Sequence, residues 1–345
     1  MTSIDTISDL LNLSHSQYRI YDIGRKIDKI SKEQFKKIEL NQQPYPFPVQ
    51  GNACIAIAFW QKKSEQSYLW FVKLPLDEQG LLNQSARNHF IAIITEALGA
   101  DLSINPTEKQ EELLKANPYH FTPAQYKLAA LNSLLTLELK KTASDFLAHT
   151  QEYLSGKLGW DNWQNVGVQG ITDLVARLSF DNNEQLLVNA FSHLPEQVLY
   201  PLCAALENVQ LSLAMLTVLI QRIEQSVVNN NQGEKVQLLR ALASTSQHPN
   251  AEQLVDKLLA QSLLSTDEFI TLSARCWLLL ETPERMMTFL EAMIKSQGLD
   301  VFNAIFKDLV AIPKIRAVLF QCMRDPNRST ALAQAIGRLF NPSSH

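Results

Sequence analysis

Two sets of charged residues near the start of the chain have the makings of an acid–base site. Asp22, Arg25 and Lys26 follow one expected strand. Asp77, Glu78 and Gln79 follow another, and Arg87 and His89 open the helix after it. If those strand ends are neighbours, carboxylates and guanidinium groups converge, the arrangement that proton transfer needs. The structural alternative is that Asp77 and Glu78 sit near the positive end of the following helix, where each contributes about 0.3–1 kcal/mol, and that the arginines simply pair with acids. No nucleophile with an adjacent base accompanies them, so no catalytic residue is assigned.

Two further stretches have chemistry-bearing residues. Arg19, Lys32, Lys36 and Lys37 belong to the one basic stretch, with Tyr18, Tyr21 and Phe35 interleaved. Phosphate contacts plus stacking would suit single-stranded nucleic acid. The interspersed Asp22, Asp28 and Glu33 weaken that field, and a solvated helix face explains the charges more simply. Trp160 and Trp163 lie in Ser155–Ile171, among four glycines at a break in the helical pattern. They are either a core plug or an anchor for a partner. Gly167 and Gly170 lead into a helix whose free N–H groups suit an anion, but the Gly-Lys-Ser/Thr ending of a phosphate loop is missing. The histidines are scattered without metal-ligand spacing, so neither a metal nor a cofactor is expected.

The elements that must position these groups fall into two regions. At 345 residues the chain is long for one core, and its formal charge of −4 gives no global pull toward nucleic acid or an anionic membrane. Residues 1–100 read as a small α+β domain. The expected order is helix Ile4–Leu13, strand Gln17–Ile23, helix Lys32–Leu40, a proline-rich connector at Asn41–Val49, strands Ala53–Trp60 and Tyr68–Leu74, and helix Ser85–Leu98 with Gly99 as its C-cap. The alternation in Ala53–Trp60 puts Ile55, Ile57 and Phe59 on one face and Cys54, Ala56 and Ala58 on the other. The helix is expected over the small face, which leaves it room. Residues 101–121 read as a connector with one charged helix, and 341–345 as a disordered tail.

From 122 to 340 the pattern is helical throughout. Its centre is Leu211–Val228, apolar at Leu213, Leu216, Ile220, Ile223 and Val227 with apolar flanks, and so expected to be an inner helix. Thr122-Pro123 with Gln125, Ser265 with Glu268, and Thr282-Pro283-Glu284 mark helix starts. Short links make neighbours antiparallel, and the steps from Pro249 to Pro283 to Pro313, 34 and 30 residues, have the scale of helix-pair repeats. The expected fold is therefore mostly α: a small N-terminal domain with an antiparallel sheet, followed by an irregular HEAT-like α-solenoid of antiparallel helix pairs.

The segments Tyr18-Arg19-Ile20-Tyr21-Asp22-Ile23-Gly24-Arg25-Lys26, Pro44-Tyr45-Pro46-Phe47-Pro48 and Trp70-Phe71-Val72-Lys73-Leu74-Pro75-Leu76-Asp77-Glu78-Gln79-Gly80 resemble a family of uncharacterised gammaproteobacterial proteins, carried as a domain of unknown function. The resemblance implies a bacterial cytoplasmic protein and transfers no catalytic residue. Four dispersed cysteines and an acidic N-terminus without an apolar leader agree with the cytoplasm. No stretch reaches the roughly 20 apolar residues of a membrane span. The expected function is non-enzymatic: an adaptor that docks another protein on its helical array. RNA binding through residues 18–37, and an enzyme using the carboxylate and arginine groups, stand as the alternatives.

Overall fold

A computed structural model describes residues 4–62, 66–99, 102, 107–261 and 264–340; the expected tail at 341–345 lies outside them. The chain falls into two compact units, the first running to Pro123 and the second comprising almost all of the chain from Ala124.

The first unit is built on four antiparallel strands in the order β2-β1-β3-β4, namely β1 (Ser16–Asp22), β2 (Asp28–Ile30), β3 (Asn52–Gln61) and β4 (Ser67–Pro75). The register puts Tyr18 opposite Phe59, Ile20 opposite Ile57, and Ile57 opposite Trp70. Those residues share one sheet face with Ile55 and Val72, and α1 (Ile7–Leu13), α2 (Lys32–Glu39) and α3 (Gln84–Leu98) supply the rest of the same core. Phe90 of α3 meets Trp70 edge-on at 5.9 Å, and Trp70 lies 4.5 Å from Phe59. The helix therefore covers the large face, not the alanine face. Burying an Ile or Phe side chain gains about 1.5–3 kcal/mol, a gain that the alanine face cannot match.

Two features of this unit depart from the sequence reading. Strand β2 has only three residues, too few to show a period. The segment read as a connector is part of the first unit: α4 (Glu108–Lys115) packs on α3, and residues 119–121 pair with the outer edge of β4 through Lys73 N–H to Tyr119 O (2.7 Å) and Phe121 N–H to Phe71 O. That pairing blunts an otherwise open strand edge.

The second unit is helical throughout its described residues. In order come α5 (Gln125–Glu138), α6 (Phe146–Leu154), α7 (Val168–Ala176), α8 (Asn183–Ala190), α9 (Glu196–Leu206), α10 (Leu213–Val228), α11 (Gln232–Ala241), α12 (Pro249–Ala260), α13 (Thr266–Ala274), α14 (Pro283–Gln297), α15 (Leu299–Ala311), α16 (Pro313–Arg324) and α17 (Thr330–Phe340). Eleven of them stack in two layers. One runs α5, α7, α9, α11, α13; the other runs α6, α8, α10, α12, α14, α17; each helix touches the next in its own layer. The starts follow from the caps. Ser212 accepts from Met215 N–H, Ser265 N–H donates to Glu268, and Pro249 and Pro283 occupy first turns. At Thr122-Pro123 the expected cap does not form, and α5 starts after Ala124. Three of these helices run on into a 3-10 turn, α8 at Phe191–His193, α11 at Ala243–Thr245 and α13 at Trp277–Glu281. Helix α10 is amphipathic, not covered on every side: Met215, Leu216, Leu219 and Ile223 are buried against α8, α11 and α12, while Leu213 is 60% exposed.

Candidate functional site

The charged groups singled out in the first unit fall into several separate settings. Asp22, at the end of β1, lies on the core face; it is fully buried and accepts from the Tyr45 hydroxyl at 2.6 Å and from Arg25 N–H at 3.3 Å. Tyr45, from the proline-rich connector, is itself fully buried, and burial beside Asp22 pushes its hydroxyl well above its ordinary value. Arg25 is buried and donates through Nε to Pro48 O, and Lys26 pairs with Asp28 at 2.6 Å. Asp77 is exposed and closes its own turn, accepting from Gln79 N–H and Leu81 N–H, while Glu78 points to solvent. Arg87 is buried elsewhere, donating to the backbone carbonyl of Glu39 and to Asn88. The Arg25 backbone N–H reaches Asp22 while its guanidinium goes to Pro48 O, and no hydrogen bond or ion pair among the described residues joins either residue to Asp77, Glu78 or Arg87.

In the basic stretch, the aromatic residues take the cations. Lys32 Nζ lies 3.8 Å above the Tyr18 ring, and the Arg19 guanidinium lies 5.3 Å from the Trp60 ring centre. Burial, and then Arg19, lower the Lys32 ammonium from its ordinary value. Lys37 pairs with Glu33 one helical turn away, and Lys36 is exposed. Of the tryptophans, Trp160 stacks flat on His193 at 5.1 Å and edge-on against Tyr153, whose hydroxyl donates to Trp160 O. Gly156 takes φ +77° beneath that ring. Trp163 begins a single 3-10 turn and is half-buried. Trp160 therefore holds the turn between α6 and α7 in place.

Sequence reasoning passed over three buried carboxylates. Glu39 accepts from Ile7 N–H, Ser8 N–H and the Ser8 hydroxyl. Glu207 receives both a 2.7 Å bond from Arg240 Nη2 and one from Arg240 Nε, with Arg275 at 3.6 Å and the Tyr126 ring beneath Arg240. Asp173 accepts from Ser133 Oγ, Ser144 Oγ and Ser144 N–H. Two of them carry a signal in the sequence: Glu39 falls four residues from Phe35 and one from Ile38, on an apolar stripe, and Asp173 sits inside Ile171–Val175.

Asp173 also shapes the surface above it. It ties α5, the turn before α6, and α7 together, and Gln169 Nε2 joins the same set by donating to Ser133 Oγ at 2.9 Å. Gly170 lets α6 and α7 approach closely, since a Cβ there would lie 2.2 Å from Thr150 Oγ1 and 2.6 Å from Phe146 O. Between these fixed helices runs a shallow groove of about 500 Å³ with Leu128, Ala129 and Asn132 on one wall and Phe146, Val168 and Gln169 on the other. None of its lining residues is charged. Phe146 is 57% exposed at its rim. Two further shallow grooves, of about 380 and 490 Å³, lie between α10 and α12 and between α12, α14 and α17. A family model described as "Protein of unknown function (DUF3549)" matches residues 2–340. The chain belongs to that family. Comparison with curated proteins and with solved structures finds no match.

The chemistry available to this DUF3549 protein follows from these settings. Burial pushes the Cys203 thiol up to about 12 and the Cys322 thiol up to about 11, so neither is a ready thiolate nucleophile. Among the described residues no group of three or more His, Cys, Asp or Glu side chains is placed to hold a metal ion, and no helix is long and apolar enough to cross a membrane.

Proposed function

We propose that this chain is a cytoplasmic adaptor whose HEAT-like helix pairs dock a segment of another protein, with the groove between α5, α6 and α7 as the primary contact. The observation that supports the reading is an uncharged groove with an exposed aromatic at its rim, held rigid from below by Asp173. Large aromatic side chains on rigid supports are the residues from which interface hot spots are made, and stacked helix pairs present extended surfaces of this kind. Asn132, exposed beside Leu128 and Ala129, adds an amide to hydrogen-bond the backbone of an incoming segment. The RNA-binding reading has less support, because Arg19 and Lys32 are engaged with Trp60 and Tyr18. The enzymatic reading has less as well, because its carboxylates and arginines have separate settings.

The test is affinity purification of the full chain from its own cells, as wild type and as the groove variants Phe146→Asp and Leu128→Asp. A specific protein should co-purify with the wild type, and each variant should lose at least tenfold of it while keeping the wild-type melting temperature. Retention of the same protein in the same amount by both variants would remove the groove from the account.

A further inference from the structure

The carboxylate of Glu39 stands at the junction of three helices of the first unit. It is the last residue of α2, it is fully buried, and its two oxygens accept from the first turn of α1 alone: Ile7 N–H at 2.6 Å, Ser8 N–H at 3.2 Å and the Ser8 hydroxyl at 2.5 Å. The nearest guanidinium, Arg87 of α3, donates to the Glu39 backbone carbonyl and to Asn88. The other ionisable groups whose charge bears on this junction are Asp5 and Asp9, at the start of α1, and Tyr18 of β1. The acids oppose a negative charge on Glu39, and Arg87 favours it.

We propose that Glu39 is a proton-operated latch on α1, so that this helix opens from the first unit more readily as the medium passes from mildly acidic to neutral. A neutral Glu39 keeps all three contacts, because the Ser8 hydroxyl can turn from donor to acceptor while the two backbone N–H groups still find oxygen. A charged Glu39 keeps them too, but at the cost of a buried charge without a cation in its hydrogen-bond shell. Opening α1 returns the carboxylate to water, so the charged form favours the open state. Burial pushes the closed-state carboxyl up to about 7 from an ordinary value of 4.5, with the Ser8 and Ile7 bonds and Arg87 opposing. The window of the latch therefore lies between those two values. Opening uncovers Ile7, Leu10 and Leu11, all buried in the closed form.

Amide hydrogen exchange of the full chain across pH 5 to 8.5, corrected for intrinsic exchange, reads the latch directly. The opening equilibrium of the Ile7–Leu13 amides should rise by up to about tenfold per pH unit below 7 and level off above it, while the amides of α10 show no such change. Glu39→Gln should abolish the slope. Ser8→Ala, which removes a bond that holds the carboxyl down, should move the midpoint to higher pH. A corrected α1 opening that is flat with pH in the wild type, or a slope that survives Glu39→Gln, would overturn the proposal. If Glu39→Gln fails to fold, Ser8→Ala decides: an unmoved midpoint overturns it.

Discussion

Tyr45 has one hydroxyl, and it goes to Asp22, one of the charged groups singled out in the sequence. Tyr45→Phe leaves a fully buried carboxylate short of a donor and should cost the first unit about 1–3 kcal/mol in urea denaturation. Glu207→Gln breaks a buried pair and strands Arg240, so a larger loss of roughly 3–5 kcal/mol is expected in the same measurement. Glu39 contributes with the opposite sign to an ordinary paired carboxylate. Its folded-state value lies above its unfolded one, so its contribution is complete below about 4.5 and is lost as pH rises through about 7. Denaturation at intervals across that window should show stability falling by up to about 1.4 kcal/mol per pH unit, and Glu39→Gln should flatten that part of the profile. Individual polar residues are legible in the sequence as residue types but not as partners. The Arg25 guanidinium finds the Pro48 carbonyl across 23 positions and Arg87 finds Glu39 across 48, contacts that only the folded core creates.

At the scale of elements, local signals carried further. Helices α10 to α14 and α16 begin where Ser212, Asn231, Pro249, Ser265, Pro283 and Pro313 place them, because caps and prolines act within one turn. Two features carry no local signal. The three residues of β2 cannot show alternation, and the side of the sheet chosen by α3 depends on total buried area, not on room beside alanines. The close approach of α6 and α7 was equally invisible, since Gly170 reads as a helix start. Gly170→Ala puts a methyl group against the Phe146 carbonyl and should cost about 1–3 kcal/mol, measured as a lower urea midpoint. It should also weaken docking at the groove, because Phe146 must move with its helix. Gly167→Ala, where a Cβ meets nothing within 4 Å, is the control that should leave both unchanged.

For the second unit as a whole, the layered stacking explains how weakly stable parts support one another. Each helix pair rests on the next, and the Arg240–Glu207–Arg275 set fastens α9, α11 and the end of α13 across the layer. A surface assembled this way is broad and rigid, which suits recognition of another protein. The most direct test of that claim is photocrosslinking in the cells of origin from single positions of the full chain. Positions 146 and 168, at the groove, should capture one and the same protein, and position 228, which is 84% exposed on α10 and outside all three grooves, should not. Equal capture from all three positions, or capture from 228 alone, would contradict the account.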